Sequence, residues 1–203
     1  KKNRYLDIET LKLLEQDHNL SPKDQLAVDL SLLQFYLGGL DLIDLYYLKK
    51  ANFYKDRVLL QRVKTERFNL EYDLKVFEKA REIFKKYEAS ESEYVFGFDP
   101  DRKAYRGFRS VYYRTLQRVK TKLDFQLLPV DQNWGTKVMR HTFATHAKFA
   151  HVDEDIIREL MGHERDDIDT VYKDKYPEAV RDAASEAAMD RLLNALVGEN
   201  ASE

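Results

Sequence analysis

Between Leu26 and Leu37 the chain reads LAVDLSLLQFYL, an apolar run that only Asp29, Ser31 and Gln34 interrupt. Just upstream, SPKD supplies Ser21 as an N-cap, Pro22 at the first helical position and Asp24 at the capping-box position. Gly38-Gly39 closes the run. A helix that is apolar on nearly every side has to be covered on most of them. The rest of the chain must therefore supply that cover. With 203 residues, 43% of them hydrophobic, and only seven glycines and four prolines, it suits one globular and mostly helical domain.

Upstream, Asp7 is placed to cap a short helix through Leu14, with Ile8, Leu11 and Leu14 on one face. Asp41 is placed to cap another in LIDLYYLKK. The period then changes. FYKDRVLLQRVKTERFNLEY is rich in Val, Phe and Tyr, and predicts a small antiparallel sheet with strands near 52–54, 57–63 and 67–71. Helices are expected at about 73–88, 101–122, 136–150, 153–161 and 177–197, with a short one near 166–173. Leu74, Phe77, Ala80, Ile83 and Phe84 give the first of these its apolar stripe. The expected fold is mainly α with a small antiparallel β-sheet (α+β). It forms one domain over 1–203, comprising a core to 176, a C-terminal helix over 177–197 and a frayed tail from 198.

Composition narrows the chemistry. There is no cysteine, so neither a disulfide framework nor a thiolate metal site is possible. His141, His146 and His151 are spaced by five, which on a helix sets neighbours about 140° apart and unsuited to a shared zinc. No metal is expected. No Gly-rich phosphate loop or Ser-His-Asp pattern is present. No apolar run reaches membrane length and no signal-peptide pattern opens the chain, so a cytoplasmic protein without membrane contact is expected. Net charge is only -2, yet Arg102, Lys103, Arg106, Arg109, Arg114, Arg118, Lys120 and Lys122 follow Asp101 with no acid among them. Such a stripe suits either a phosphate-binding face or a solvated helix surface.

Two segments carry the strongest signal: VMRHTFATH, with Arg140 and His141, and LMGHERDDIDTVY, with His163 and Tyr172. Their order and spacing resemble the catalytic domain of tyrosine recombinases, the phage integrase family. That family shows Arg-His-Thr-Phe-Ala-Thr-His, then Leu-Gly-His some twenty residues on, then Tyr nine after that His. YLDIETLKLL resembles the family's opening helix, FYLGGLDLIDLYYLKK its first conserved box, and RVKTER its lysine-bearing hairpin. The resemblance runs from about Tyr5 to Tyr172.

The resemblance implies roles. Tyr172 would attack a DNA phosphodiester and form a 3′-phosphotyrosyl link, which conserves bond energy for religation. Arg140 and His163 would clamp the non-bridging oxygens as charge builds in the transition state. Lys64 would protonate the departing 5′-hydroxyl. Lys137 stands where the family carries histidine or, less often, lysine, and would contact phosphate or handle protons near the tyrosine. Arg62 in the hairpin and Arg102, Lys103, Arg106, Arg109, Arg114 and Arg118 would contact DNA. His141 reads as a packing and hydrogen-bonding residue, and Tyr176, thirteen beyond His163, as a helix-lining or loop aromatic. No nucleotide cofactor, metal or small-molecule substrate follows from this chemistry.

The implied function is site-specific cutting and rejoining of double-stranded DNA, for integration or excision of a mobile element. It implies a tetramer on DNA and a monomer when free. A type IB topoisomerase shares the same phosphotyrosine logic. The family's N-terminal core-binding domain is expected to be absent from this chain. The C-terminal helix, with Val180, Ala183, Ala187 and Leu193 to Leu196, would dock either on a neighbouring protomer or on its own domain. One departure stands out. The first-box arginine slot holds Asp41, or Gly38 in the alternative alignment. Losing such a phosphate clamp typically slows the reaction about 10²–10³-fold. Three explanations fit: a cation near the hairpin such as Arg57, Arg62 or Arg67 stands in, the substitution is an engineered inactivation, or the chain is a natural, catalytically impaired DNA-binding module of the same fold.

Overall fold

A computed structural model describes residues 4–61, 71–162 and 175–200. The order is α1 (Ile8–Glu15), α2 (Pro22–Tyr36), α3 (Leu42–Tyr46), a 3₁₀ turn (Lys50–Asn52), β1 (Phe53–Tyr54), β2 (Arg57–Gln61) and β3 (Glu71–Lys75), followed by α4 (Glu78–Tyr87), α5 (Arg102–Leu123), α6 (Val138–Phe149), α7 (Glu154–Leu160) and α8 (Glu178–Asn200). The strands form one antiparallel sheet in the order β1-β2-β3, with Val58 opposite Leu74.

The apolar run forms α2, and α1, α3, α4, α5 and α6 all pack against it. Ser21 caps it by accepting from the Asp24 N–H, and Gly38 and Gly39 follow it with φ of +68° and +75°. Four of its polar residues, Asp24, Asp29, Ser31 and Gln34, are buried, and between them they reach α4, α5 and two loops. Asp24 accepts from Arg118 of α5, and Asp29 accepts from Lys86 and Tyr87 at the end of α4. The Ser31 hydroxyl lies 2.6 Å from that of Tyr112, and Gln34 donates to the Leu40 and Thr136 carbonyls. Buried polar groups need such partners. Here they also fix where the surrounding helices dock.

The leading segment is held by α6. Leu6 N–H donates to the Thr142 hydroxyl at 3.0 Å, and His146 Nε2 donates to the Leu6 carbonyl at 2.9 Å. Tyr5 and Leu128 exchange main-chain hydrogen bonds.

The structure corrects two boundaries. The third strand lies at Glu71–Lys75, not 67–71, and α4 starts at Glu78, not 73. Tyr72, Leu74 and Val76 are buried in alternation, so Leu74 belongs to the sheet face and not to a helical stripe. The C-terminal helix packs on its own chain, against α6, α1 and α7, through Ala184, Ala188, Met189 and Leu192. Val180 and Ala183 lie on its exposed side. The expected short helix near 166–173 lies outside the described residues.

Candidate active site and nucleic-acid interface

Arg140 sits in the first turn of α6, and its side chain is 4% exposed. One terminal nitrogen donates to the Gly39 carbonyl at 2.9 Å and the other to the Met161 carbonyl. The first is in the turn after α2, and the second is two residues before His163. A side chain at Gly39 would place its Cβ 3.1 Å from the Arg140 Cα, and one at Gly38 would meet the Leu160 carbonyl oxygen at 3.5 Å. The three motif-bearing segments thus converge on one guanidinium. Among the described residues no carboxylate pairs with it. Two carbonyls hold the group without neutralising it, and a buried cation in that state favours an anionic partner.

One turn earlier, the exposed Lys137 occupies the N-cap position of α6. Beside it an open groove of about 870 Å³ is lined by Arg106, Arg109, Ser110, Tyr113 and Arg114 of α5 and by Gly135, Thr136 and Lys137. Four of these residues are cations and none is an acid. Arg106, Arg109, Ser110 and Tyr113 share one face of α5 by helical spacing. Ser110 and Tyr113 were therefore recoverable from the sequence as neighbours of the arginines. Asp101 caps α5 through the Lys103 and Ala104 N–H groups, and Arg102 and Lys103 are exposed in its first turn, beyond the groove lining.

The stripe is not uniform. Arg118 lies against Asp24, with its Nε donating at 3.0 Å and a terminal nitrogen bound to the same oxygen. That hydrogen bond, opposed by partial burial, holds the Asp24 carboxyl below its ordinary range. The expected phosphate contact from Arg118 meets a partner already in place. Lys120 likewise pairs with Asp131 at 2.9 Å.

Arg57 does not stand in for the absent first-box arginine. It is buried between Asp73 (2.5 Å) and Asp182 (2.8 Å), with Glu178 at 3.2 Å. Its charge is consumed in joining the sheet to α8. Lys64, Arg62, Arg67, His163 and Tyr172 lie outside the described residues. Tyr176 lies in the segment leading into α8. Its N–H donates to Glu159 at 3.2 Å, and its carbonyl accepts from Arg181 at 3.1 Å. Sequence reading missed Asp73, Glu159 and Arg181, because only the tertiary fold brings them together.

His141 is half-buried. Burial, followed by the nearby Lys137 and Arg140 charges, pushes its pKa down against the opposing pull of Asp41. It is a neutral ring beside the cations at pH 7, in keeping with a packing residue. Among the described residues no group of three or more His, Cys, Asp or Glu is arranged to hold a metal ion, and no helix is long and apolar enough to cross a membrane.

Known structures share this architecture. The chain superposes on XerA recombinase with a TM-score of 0.55 and 16% identity, covering 97% of this chain and 62% of that one. For XerH site-specific recombinase bound to difH substrate in a pre-cleavage complex, the TM-score is 0.56 at 16% identity, over 89% of this chain and 53% of that one. For the Tn1549 transposon integrase in complex with transposon right end DNA, it is 0.56 at 14% identity, over 93% and 66%. The chain thus spans between about half and two thirds of the length of these proteins. Among curated protein sequences none matches. The model of the phage integrase family matches residues 12–179. That match runs from α1 into the start of α8 and takes in Arg140, His163 and Tyr172, so the chain belongs to the phage integrase family.

Proposed function

We propose that this chain is the catalytic part of a site-specific DNA recombinase that cuts and rejoins double-stranded DNA through a 3′-phosphotyrosyl intermediate at Tyr172. The observation that carries this reading is the environment of Arg140. Its guanidinium is buried and held by two main-chain carbonyls, without a carboxylate among the described residues, one turn from an acid-free groove. A phosphodiester in that position completes the missing counter-charge, and the same hydrogen-bond geometry stabilises the pentavalent transition state. Lys137, Arg106, Arg109 and Arg114 would hold the flanking backbone, which positions the duplex without specifying its sequence. His163 would add a second donor to the phosphate, and Lys64 would protonate the leaving 5′-hydroxyl. Integration or excision of a mobile element by a tetramer on DNA fits this chemistry. So do the relatives of the same fold that were solved on recombination-site and transposon-end DNA.

A second reading, a DNA-binding module that has lost its chemistry, is favoured by one observation. The first-box position is occupied by a left-handed Gly38 or a buried Asp41, and Arg57 is tied to acids. A nicked suicide substrate, which traps the covalent product, separates the two. Recombination predicts a protein–DNA adduct that disappears in Tyr172→Phe while binding is retained. No adduct from a protein that still binds DNA assigns the chain to the second reading.

A further inference from the structure

We infer that Glu159 and Arg181, paired directly at 3.5 Å and tied to Asp73 through Arg181, are positioning residues for the nucleophile; the inference rests on the recombinase reading. Tyr176 lies four residues beyond Tyr172 and outside any helix or strand, yet both of its main-chain polar groups are tied down. Its N–H donates to Glu159 near the end of α7, and its carbonyl accepts from Arg181 Nε. The other two nitrogens of Arg181 donate to the Asp73 carbonyl at 2.8 Å and its carboxylate at 2.6 Å. Asp73 also accepts from Arg57 at 2.5 Å, so β2 and β3, the strands that flank the segment carrying Lys64, share the same tie.

A buried ion network of this kind is weak evidence for stability, since desolvation offsets much of its attraction. What it supplies here is geometry. Four residues beyond Tyr172 the chain is anchored at Tyr176 to Glu159 of α7 and to Arg181 of α8, and Arg181 in turn is tied to Asp73 of β3. Displacing a reacting group by about 1 Å slows a reaction about 10²-fold, so an anchor four residues from the nucleophile acts on rate far more than on binding.

The test compares Glu159→Ala, which removes the acceptor for the Tyr176 N–H, with Glu159→Gln, which keeps an acceptor oxygen. Single-turnover cleavage of the suicide substrate by Glu159→Ala is expected to fall by about 10–100-fold, with DNA affinity and Tm close to those of the parent and most of the rate retained in Glu159→Gln. The loss is expected to persist on a 5′-bridging phosphorothiolate, whose thiolate departs without a proton. Recovery on that substrate would assign the defect to the hairpin lysine and overturn the inference, as would parallel losses in affinity and rate. In the free protein, hydrogen exchange at the Tyr176 amide should quicken in Glu159→Ala and not in Glu159→Gln. Unchanged exchange removes the anchor alone, whereas a parent protein that forms no adduct removes the recombinase reading and the positioning role with it.

Discussion

At the residue scale the constraint nearest the candidate site's arginine is the close passage of Gly39 against Arg140. Gly38 and Gly39 both have positive φ, which disfavours any side chain by about 1–2 kcal/mol. Their surroundings differ. A Cβ on Gly38 makes ordinary contacts at 3.5 Å, whereas one on Gly39 meets the Arg140 main chain at 3.1 and 3.3 Å. Gly38→Ala is therefore expected to destabilise by about 1–2 kcal/mol, and Gly39→Ala by about 2–5 kcal/mol once overpacking is added. Urea denaturation checks the order, and equal losses would mean that the close approach carries no energy. Arg140 itself was legible, because a motif marks it. Its partners were not, since Gly39 is 101 residues away and no local pattern encodes which carbonyls a guanidinium will find. The same limit hid the pairing of Arg118 with Asp24, 94 residues apart.

At the element scale the sequence located α2, α5, α6 and α7 within about two residues, because capping residues and apolar period agree there. The boundary between β3 and α4 was misread because EYDLKVF satisfies both periods over so short a run. Leu74 and Phe77 are three apart, as on a helix, while Tyr72, Leu74 and Val76 alternate as in a strand. Pairing with β2 decides in favour of the strand, and pairing is not a local property. The face that α8 buries was likewise undetermined, since small and apolar residues occur on several of its sides. The join between α6 and the leading segment makes a pH prediction. His146 is 1% exposed, and its Nε2–H donates to the Leu6 carbonyl. Burial, only partly opposed by that hydrogen bond, lowers its pKa, and His141 is lowered as well. Below the ordinary histidine value of about 6.5 the unfolded chain binds protons that the folded protein resists, so stability falls as pH drops through that value. Melting temperature should decline from pH 7.5 to 5.5, and His146→Gln, which keeps a donor but cannot charge, should flatten the slope. A slope identical to that of the parent would assign the pH dependence elsewhere.

At the scale of the whole molecule, net charge and function pull in opposite directions. The chain carries 34 basic and 36 acidic side chains, and a body of charge -2 has no general attraction for DNA. At physiological salt, charges farther apart than about 8 Å are largely screened, so local arrangement decides. The fold sorts the cations into two populations. Arg57, Arg118 and Arg181 are consumed by Asp73, Asp182, Asp24 and Glu159, and they hold elements together. Arg106, Arg109, Arg114 and Lys137 line the groove, with no acid among the described residues of its walls. Composition cannot make that division, because each paired arginine is identical in sequence to an unpaired one. Salt dependence can. Each phosphate neutralised adds about 0.9 to the slope of log affinity against log salt. Arg106→Ala and Arg109→Ala should each make binding to duplex DNA less salt-sensitive by about that amount, measured by fluorescence anisotropy between 50 and 250 mM salt. Arg118→Ala should leave the slope unchanged, because its charge is already compensated by Asp24. A slope lowered equally by all three would mean that the Asp24 pair opens on DNA. In that case the whole length of α5, and not only its groove-facing half, would carry the phosphate backbone.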